Sequence, residues 1–380
     1  MNFHFTDEEK DVLDMVHSFA LKEVAPIAGE IDEAERFPEE TVRKLADMGM
    51  MGIFYPEEYG GPGLSYLTYI AVIEELSKHC GSTGCIFSTH GSLGCWPIFT
   101  YGTEEQKQKY LTPLVTGEKL GSFCLTEPAA GTDSAMQQTT AEDKGDHWLL
   151  NGSKIFITNA GYSDTYIVFA MTDKSLGNKG ISAFIVEKDF PGFVVGTREK
   201  KMGIHASTAC QLFFEDCVVP KENLLGQLNK GFKIAMTTLD GGRIGIAAQA
   251  LGIAQGAIDA TVKYTGERVQ FGRRISQFQN TQFQLADMQT KVDAARLLVY
   301  RAAQAKQDGE PYSHLAAMAK LFASETASDV TRRCVQLFGG YGFTREYPVE
   351  RMMRDAKITE IYEGTSEVQR MVISGWMGVK

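Results

Sequence analysis

The stretch HWLLNGSKIFITNA, residues 147–160, marks the point at which the sequence becomes rich in β-forming residues. Short runs of Val, Ile and Phe, bounded by Gly, Asn and Asp, continue from here to about residue 225. Closely spaced runs of this kind, with few helical patterns between them, are typical of an antiparallel sheet or a small barrel. The stretch therefore predicts a β domain in the middle of the chain.

Helical patterns flank this β-rich segment on both sides. Near the start, Thr6 and Glu9 have the spacing of a capping box, and apolar residues then recur at helical intervals. After the β-rich segment, three long helical patterns are followed by a shorter one. They cover about residues 230–265, 277–306 and 313–337, and from 366 onward.

This order predicts an α+β protein in three parts. We expect an N-terminal α-helical domain over 1–120, a middle antiparallel β-sheet or barrel domain over 121–225, and a C-terminal four-helix bundle over 226–380.

The overall charge excludes some classes of partner. The formal net charge is −10, whereas a protein that binds nucleic acid or an anionic membrane needs a basic surface. We therefore expect neither as the main partner. No apolar run approaches the roughly 18–20 residues that a membrane span requires. The first residues turn acidic by Asp7, which is unlike a targeting signal. We expect a bacterial cytoplasmic protein, or a mitochondrial matrix protein if the chain is a processed eukaryotic one.

Several local motifs are absent from the sequence. The seven cysteines form no Cys-x-x-Cys pair, which indicates buried thiols in a reducing compartment, and no metal site is predicted. The Rossmann, Walker and G-x-S-x-G motifs are absent, so any nucleotide must be held in another way.

Two segments of the β domain carry candidate binding groups. In LTEPAAGTDSA (125–135), Gly131 and the surrounding hydroxyls could form an anion-binding concavity, or simply a Pro/Gly turn. In KIFITNA (154–160), Phe156 beside Thr158 could face a flat heterocycle, or end an ordinary strand.

Two further segments lie in the C-terminal helical region. In TTLDGGRIGIAAQALG (237–252), Asp240 and Arg243 share a helix face and could form an ion pair. The two intervening glycines cost roughly 1 kcal/mol each in a helix interior, which a bulky group close to the backbone would explain. In QLFGGYGF (336–343), the glycine pair could cap a helix or let the backbone reach a diphosphate.

Glu363 in IYEGTSEVQR (361–370) raises two alternatives. Ser366 and Gln369 have capping-box spacing, so a helix is predicted to begin near Ser366, with Glu363 in the loop before it. A helix N-terminus lowers the pKa of a nearby carboxylate, whereas a general base needs a raised pKa, which apolar burial or a ligand could supply. Glu363 is therefore either a solvated loop carboxylate or a base.

Six stretches occur together in an order that resembles one family. They are FCLTEPAAGTD, GSKIFITNA, LDGGRIGIAAQALG, ERVQFGR, QLFGGYGF and RDAKITEIYEGTSEVQR. Over essentially the whole chain this order resembles the acyl-CoA dehydrogenases, and most closely their short-chain, butyryl-CoA type. The resemblance implies FAD as cofactor, an acyl-CoA or enoyl-CoA substrate, an electron-transfer flavoprotein as partner, and a homotetramer built as a dimer of dimers.

The resemblance also implies the site residues. Those expected to hold FAD are Phe123, Leu125, Thr126, Gly131, Thr132, Phe156, Ile157, Thr158, Arg268, Phe271, Gln279, Gln336, Leu337, Phe338, Gly339, Gly340, Thr365, Ser366 and Glu367. Those expected to line the acyl-CoA site are Thr132, Asp240, Arg243 and Gly364. Phe156 departs from the tryptophan that family members often carry at this position.

By the same resemblance, Glu363 is the catalytic base. It takes the α-proton while the β-hydrogen leaves as hydride to flavin N5, giving a trans-2-enoyl-CoA. Hydrogen bonds from the backbone N–H of the base and from an FAD ribityl hydroxyl stabilise the developing enolate. Some relatives place the base on the DGGR helix, but Gly242 occupies that position here and has no side chain.

Several alternatives remain open within this resemblance. The same site run in reverse makes a crotonyl- or aryl-acrylyl-CoA reductase in an electron-bifurcating flavoprotein complex. An acyl-CoA oxidase is less favoured because those chains are usually much longer. A DNA-binding member of the fold is less favoured because the chain is acidic. We expect the substrate to carry a short, straight acyl chain. His90 and Trp96, in CIFSTHGSLGCWPI (85–98), could shape the pocket floor or serve as packing.

Overall fold

The structure is a computed structural model that describes residues 5–379. Residues 1–4, part of the segment predicted to lack a targeting signal, lie outside the described residues, as does residue 380. Eight helices make up the first part of the chain. They are α1 (Asp7–Phe19), α2 (Ala28–Glu33), α3 (Glu39–Asp47), α4 (Tyr66–His79), α5 (Gly81–Thr89), α6 (Trp96–Tyr101), α7 (Glu104–Gln106) and α8 (Thr112–Val115).

The sequence signals for the first helices are confirmed. The Thr6 side chain accepts the Glu9 N–H, and the Glu9 carboxylate accepts the Thr6 N–H, so the predicted capping box opens α1. Every residue of α5 is buried, which leaves it without the polar face that makes a helix visible as a periodic pattern.

The middle of the chain forms an eight-stranded sheet. Its strands are β1 (Gly121–Cys124), β2 (Thr140–Asp143), β3 (His147–Thr158), β4 (Thr165–Met171), β5 (Ile181–Glu187), β6 (Phe193–Arg198), β7 (Ala209–Pro220) and β8 (Leu224–Leu225). Their order is β6-β7-β3-β2-β4-β5-β8, and β1 lies beside β4. Most neighbours are antiparallel, as predicted, but β1 and β2 run parallel to β4.

The opening stretch forms β3 and positions an aromatic ring. The register between β3 and β7 shifts between Lys154 and Ile157, and within this irregularity Phe156 adopts a φ of +60°. A bulge of this kind turns a side chain away from its regular direction. Phe156 is left 60% exposed.

Helices return in the last part of the chain. They are α9 (Gly231–Glu267), α10 (Gln279–Gln307), α11 (Ser313–Phe338), α12 (Val349–Ile358) and α13 (Ser366–Trp376), with the hairpin strands β9 (Val269–Gln270) and β10 (Arg273–Arg274) between α9 and α10. The four predicted helices correspond to α9, α10, α11 and α13, whereas sequence analysis did not identify α12.

Glycines allow the central helix α9 to pack closely on α4. A Cβ added at Gly252 would lie 2.2 Å from the Glu74 carbonyl oxygen, and one at Gly256 would lie 2.1 Å from that of Lys78. One apolar core therefore runs through the first and last helical parts, while two further clusters cover the two faces of the sheet. The predicted α+β order of helices, sheet and helices is confirmed.

The seven cysteines are all free and buried, as the sequence predicts. Among the described residues, no helix combines the length and the apolar character needed to cross a membrane.

Candidate active site

A cavity of about 600 Å³ opens where the sheet meets α9 and the segment before α13. Twelve of the predicted site residues line it. They are Phe123, Leu125, Thr126, Gly131, Thr132, Phe156, Ile157, Thr158, Arg243, Glu363, Gly364 and Thr365. The fold thus brings together segments that lie more than 200 residues apart in sequence.

A second cavity, of about 480 Å³, lies at the end of α11. Its walls include the predicted residues Arg268, Gln336, Leu337, Phe338, Gly339 and Gly340. Gly339 ends α11 with a φ of +63°, so the predicted helix-ending role of the glycine pair is confirmed. The space above both glycines is open, and the backbone there is accessible to a ligand.

Five predicted residues line neither of these cavities: Phe271, Gln279, Ser366, Glu367 and Asp240. Phe271 sits at the turn between β9 and β10 and is 94% exposed. Asp240 forms an ion pair with Arg243, which does line the larger cavity.

The Glu363 carboxylate is buried at the base of the larger cavity. Neither of its oxygens has a hydrogen-bond partner within residues 5–379. Its Oε2 lies over α9, where a Cβ added to Gly242 would come within 2.1 Å. The side chain of Leu93 covers the same position, at 2.8 Å. The Glu363 side chain therefore occupies space that exists only because residue 242 is glycine.

Burial dominates the electrostatics of Glu363. It raises the pKa of the carboxyl group to about 8, against the opposing effects of the Lys320 and Arg243 cations. The solvated alternative is therefore wrong, and burial outweighs any lowering of the pKa by the start of α13.

Three side chains hold the strained turn that carries this carboxylate. Glu363 has a φ of +54°, which is uncommon for a residue with a side chain, and Gly364 follows with a φ of +100°. The ammonium of Lys320 donates to the Gly364 carbonyl oxygen at 2.7 Å, and the Gln369 amide donates to it at 2.8 Å. Arg243 Nε lies 3.5 Å from the Glu363 carbonyl oxygen.

The cap of α13 differs from the prediction by one residue. Thr365, not Ser366, is the N-cap, and its side chain accepts the Val368 N–H. Gln369 does not complete a capping box, because its amide turns back to Gly364. The predicted start of the helix near Ser366 is correct, but the predicted box is wrong.

The predicted features of the DGGR segment are confirmed. Arg243 Nη1 lies 2.6 Å from Asp240 Oδ1 within α9. A Cβ added to Gly241 would lie 2.4 Å from Lys306 Nζ, so Lys306 and Glu363 are the bulky groups that the two glycines accommodate.

A buried ion pair supports the loop after β1. Lys154 Nζ lies 2.8 Å from Glu127 Oε1 and also donates to Gln137 and to the Leu125 carbonyl oxygen. Glu127 in turn accepts backbone N–H groups of residues 138 and 139. Both residues lie in the two candidate binding segments of the β domain, but their pairing was not predicted from the sequence.

His90 and Trp96 are packing residues. Both ring nitrogens of His90 are used, by the Leu114 carbonyl oxygen at 2.9 Å and the Gly121 N–H at 3.2 Å. Burial lowers the His90 pKa to about 4, so the ring is neutral. Neither residue lines the larger cavity.

Several lining residues were missed. Lys200 and Lys201 line the larger cavity, together with Arg354 and Lys357 from α12, which are paired with carboxylates. Lys320 was missed as well, although a lone lysine in the alanine-rich pattern of α11 was a signal that sequence analysis could have used.

Comparison with known proteins identifies the family. The models of the acyl-CoA dehydrogenase N-terminal, middle and C-terminal domains match residues 6–118, 122–217 and 229–378. The chain belongs to the acyl-CoA dehydrogenase family. The predicted resemblance is confirmed, and members of this family are flavoprotein oxidoreductases.

Individual family members match along their full length. The short-chain-specific acyl-CoA dehydrogenase of Clostridium acetobutylicum is 60% identical, over 99% of each chain. The structure of butyryl-CoA dehydrogenase from Megasphaera elsdenii superposes with a TM-score of 0.98 at 53% identity, covering 99% of this chain and 100% of the other.

Two further solved structures concern cofactors and partners. One comes from a study of the electron transferring flavoprotein of Acidaminococcus fermentans and flavin-based electron bifurcation; it has a TM-score of 0.98 and 58% identity over 99% of each chain. The other is a Bacillus anthracis acyl-CoA dehydrogenase complexed with FAD, with a TM-score of 0.92 and 36% identity over 98% of this chain and 67% of that one.

Proposed function

We propose that this acyl-CoA dehydrogenase uses Glu363 to remove the α-proton of a short-chain acyl-CoA. One observation carries the proposal: the Glu363 carboxylate is buried in the cavity wall, has no hydrogen-bond partner among the described residues, and has its pKa raised to about 8. A base that works near neutral pH needs a pKa in this range, whereas an ordinary glutamate is too weak.

FAD is the cofactor of the protein. The larger cavity suits an isoalloxazine ring, since Phe156 is turned out of its strand and hydroxyl groups of Thr126, Thr132 and Thr158 stand nearby. The smaller cavity suits the diphosphate and adenosine, because Arg268 and the open backbone of 339–340 supply positive charge and N–H groups. When bound, FAD supplies the hydride acceptor for the β-hydrogen.

The protein's own groups arrange the proton transfer. Lys320 and the Gln369 amide fix the Gly364 carbonyl, and so hold Glu363 in its left-handed conformation facing the cavity. Lys320 and Arg243 favour the ionised carboxylate, so they limit the rise in pKa that burial causes. The backbone N–H of Glu363 is the proposed donor to the thioester carbonyl, where negative charge develops.

The Asp240–Arg243 pair is proposed to meet the CoA moiety. Arg243 lines the cavity, while Asp240 neutralises and orients it from behind. The proposed role of Asp240 is therefore to position Arg243.

Side chains above α9 support a short acyl chain. Leu93 lies against Gly242 beside Glu363, and the Ser88 hydroxyl would come within 2.3 Å of a Cβ at Gly245. Leu93 lines the cavity, so its side chain is proposed to limit the length of the acyl chain next to the base. The C. acetobutylicum relative, whose name specifies short chains, agrees with this inference.

A thioester panel tests the proposal. The FAD-loaded protein is mixed without oxygen with butyryl-, hexanoyl-, isovaleryl- or 3-phenylpropionyl-CoA, and loss of flavin absorbance is followed. We expect butyryl-CoA to react fastest, and Leu93→Ala to raise the hexanoyl-to-butyryl ratio. Turnover of branched thioesters alone would contradict short straight-chain specificity.

The physiological direction and the redox partner form a second part of the proposal. We propose exchange of electrons with an electron-transfer flavoprotein, and the A. fermentans relative favours testing reduction of enoyl-CoA as the alternative. Co-purification with a two-subunit flavoprotein and NADH-dependent reduction of crotonyl-CoA would establish the reductive role. Oxidation of butyryl-CoA coupled only to the isolated flavoprotein would support the oxidative one.

The homotetramer also remains a prediction. Phe271 and Phe343, at 94% and 89% exposed, are unusually open for aromatic rings and support burial by further copies of the chain. Sedimentation analysis would test this, with a monomer as the contradicting result. The cellular location stays a prediction.

A further inference from the structure

Two histidines and one glutamate converge on the outer side of the first helical part. His17 comes from α1, whereas Glu75 and His79 lie one turn apart on α4. His17 Nδ1 is 2.6 Å from Glu75 Oε1, and His79 Nε2 is 3.3 Å from the same oxygen. The three potential ligand atoms all lie within 4.8 Å of one another, and none of these residues lines either cavity.

We propose that His17, Glu75 and His79 form a binding site for a divalent transition-metal ion of the Zn²⁺ class, bridging α1 and α4. Two imidazoles and a carboxylate are a ligand set that such ions prefer, with a water molecule as the fourth ligand. This site is separate from the flavin chemistry and takes no part in it.

Two of the three ligand separations are close to those of a zinc site, and the third, between His17 and His79, is at most 4.8 Å. Ligands about 2.0–2.1 Å from a tetrahedral zinc stand roughly 3.3–3.4 Å apart. The separation between His79 and Glu75 is already 3.3 Å, whereas the one between His17 and Glu75, at 2.6 Å, must open by less than about 1 Å. His17 is the most exposed of the three side chains, at 51%, so it has room to make this movement.

The surroundings of the cluster also suit a cation. The neighbouring cation, Lys78, is paired with Asp259 at 3.0 Å, which offsets its repulsion of a metal ion. The open side next to His17 provides access for the ion and its water.

Zinc binding would replace the hydrogen bond between His17 and Glu75, which joins the two helices at this point, with metal–ligand bonds to three side chains. Helix α4 is part of the central core, whereas His17 lies in the last turn of α1. Because the unfolded chain does not hold the three ligands together, bound zinc should stabilise the folded state by mass action.

The test uses the tag-free, FAD-loaded protein after treatment with a chelator and desalting. Zn²⁺ is added in a calorimetric titration, and the unfolding temperature is measured with and without the ion. We expect one equivalent per chain and a higher unfolding temperature. His17→Gln, Glu75→Gln and His79→Gln should each weaken binding by at least about tenfold, since loss of even an outer-shell partner typically costs 10–100-fold.

His147→Gln is the matched control. His147 Nδ1 lies 2.7 Å from Asp146 Oδ1, which makes another surface histidine–carboxylate pair but without a second imidazole. This variant should bind zinc like the wild type. The proposal is overturned if zinc shows no saturable binding, or if the three ligand variants bind it as tightly as the wild type. If Glu75→Gln or His79→Gln fails to fold, His17→Gln, which changes the most exposed of the three side chains, is the variant that decides whether the site binds zinc.

Discussion

The raised pKa of Glu363 predicts a steep pH dependence of flavin reduction. With a pKa of about 8, about 1% of the carboxyl group is ionised at pH 6 and about half at pH 8. The second-order rate constant for reduction by butyryl-CoA reports the free enzyme, so it should rise roughly 50-fold over this interval. A glutamate at the ordinary value of 4.5 would be almost fully ionised throughout, and the profile would be flat.

Stopped-flow reduction of the FAD-loaded protein in the absence of oxygen is the assay. Lys320→Met tests the electrostatic effect of Lys320 on the base. Removing a cation that favours the ionised carboxylate must raise the pKa of Glu363 and move the pH profile of the rate to higher pH. Burial lowers the pKa of Lys320 to about 8, whereas arginine stays charged throughout the assay, so Lys320→Arg should not move the midpoint to higher pH.

A merely structural role of Lys320 would lower the rate equally at every pH. The reasoning is refuted if the wild-type profile is flat between pH 6 and 8, or if Lys320→Met slows reduction without moving the midpoint.

Two further substitutions test the support of the site. Gly242→Ala places a methyl group against the Glu363 carboxylate. It should slow flavin reduction by about 10²-fold, because a displacement of the base by about 1 Å can have this effect. The control is Gly266→Ala, in open space on the same helix, which should leave the rate unchanged and stabilise the fold by up to about 1 kcal/mol. Equal rates in both variants would contradict the close contact between residue 242 and the Glu363 carboxylate. Lys154→Met leaves a buried carboxylate unpaired and should cost about 3–5 kcal/mol of stability and weaken FAD binding, measured by unfolding and by flavin release; unchanged FAD affinity would show that the pair does not position the loop.

The sequence predicted the elements whose patterns are local. Capping at Thr6, the amphipathic helices and the β-rich segment could be identified because each depends on neighbouring residues. Helix α5 shows the limit of this approach, since every one of its residues is buried and it has no polar periodicity. The parallel pairing of β1 with β4 depends on a long connection that no local pattern specifies.

For the site, residue identities could be predicted but environments could not. The residues around Glu363 left a solvated carboxylate and a base as open alternatives, because burial depends on Gly242 and Leu93, which are distant in sequence. The resemblance to the family favoured the base. The contribution of Lys320 was missed, since its contact with the Gly364 carbonyl exists only after α11 has packed against the turn.

The zinc ligands illustrate the same limit. Glu75 and His79 are one helical turn apart, so their convergence is visible in the sequence, but two ligands do not define a site. His17 joins them only through the packing of α1 on α4.

The central claim is that Glu363 removes the α-proton, and Glu363→Gln tests it most directly. The amide is nearly the same size as the carboxyl group and cannot act as a base. The variant should retain FAD and bind butyryl-CoA, while the rate of flavin reduction without oxygen falls by about 10²–10⁴-fold. Reduction within about twofold of the wild-type rate, with FAD and substrate bound, would show that another group takes the proton.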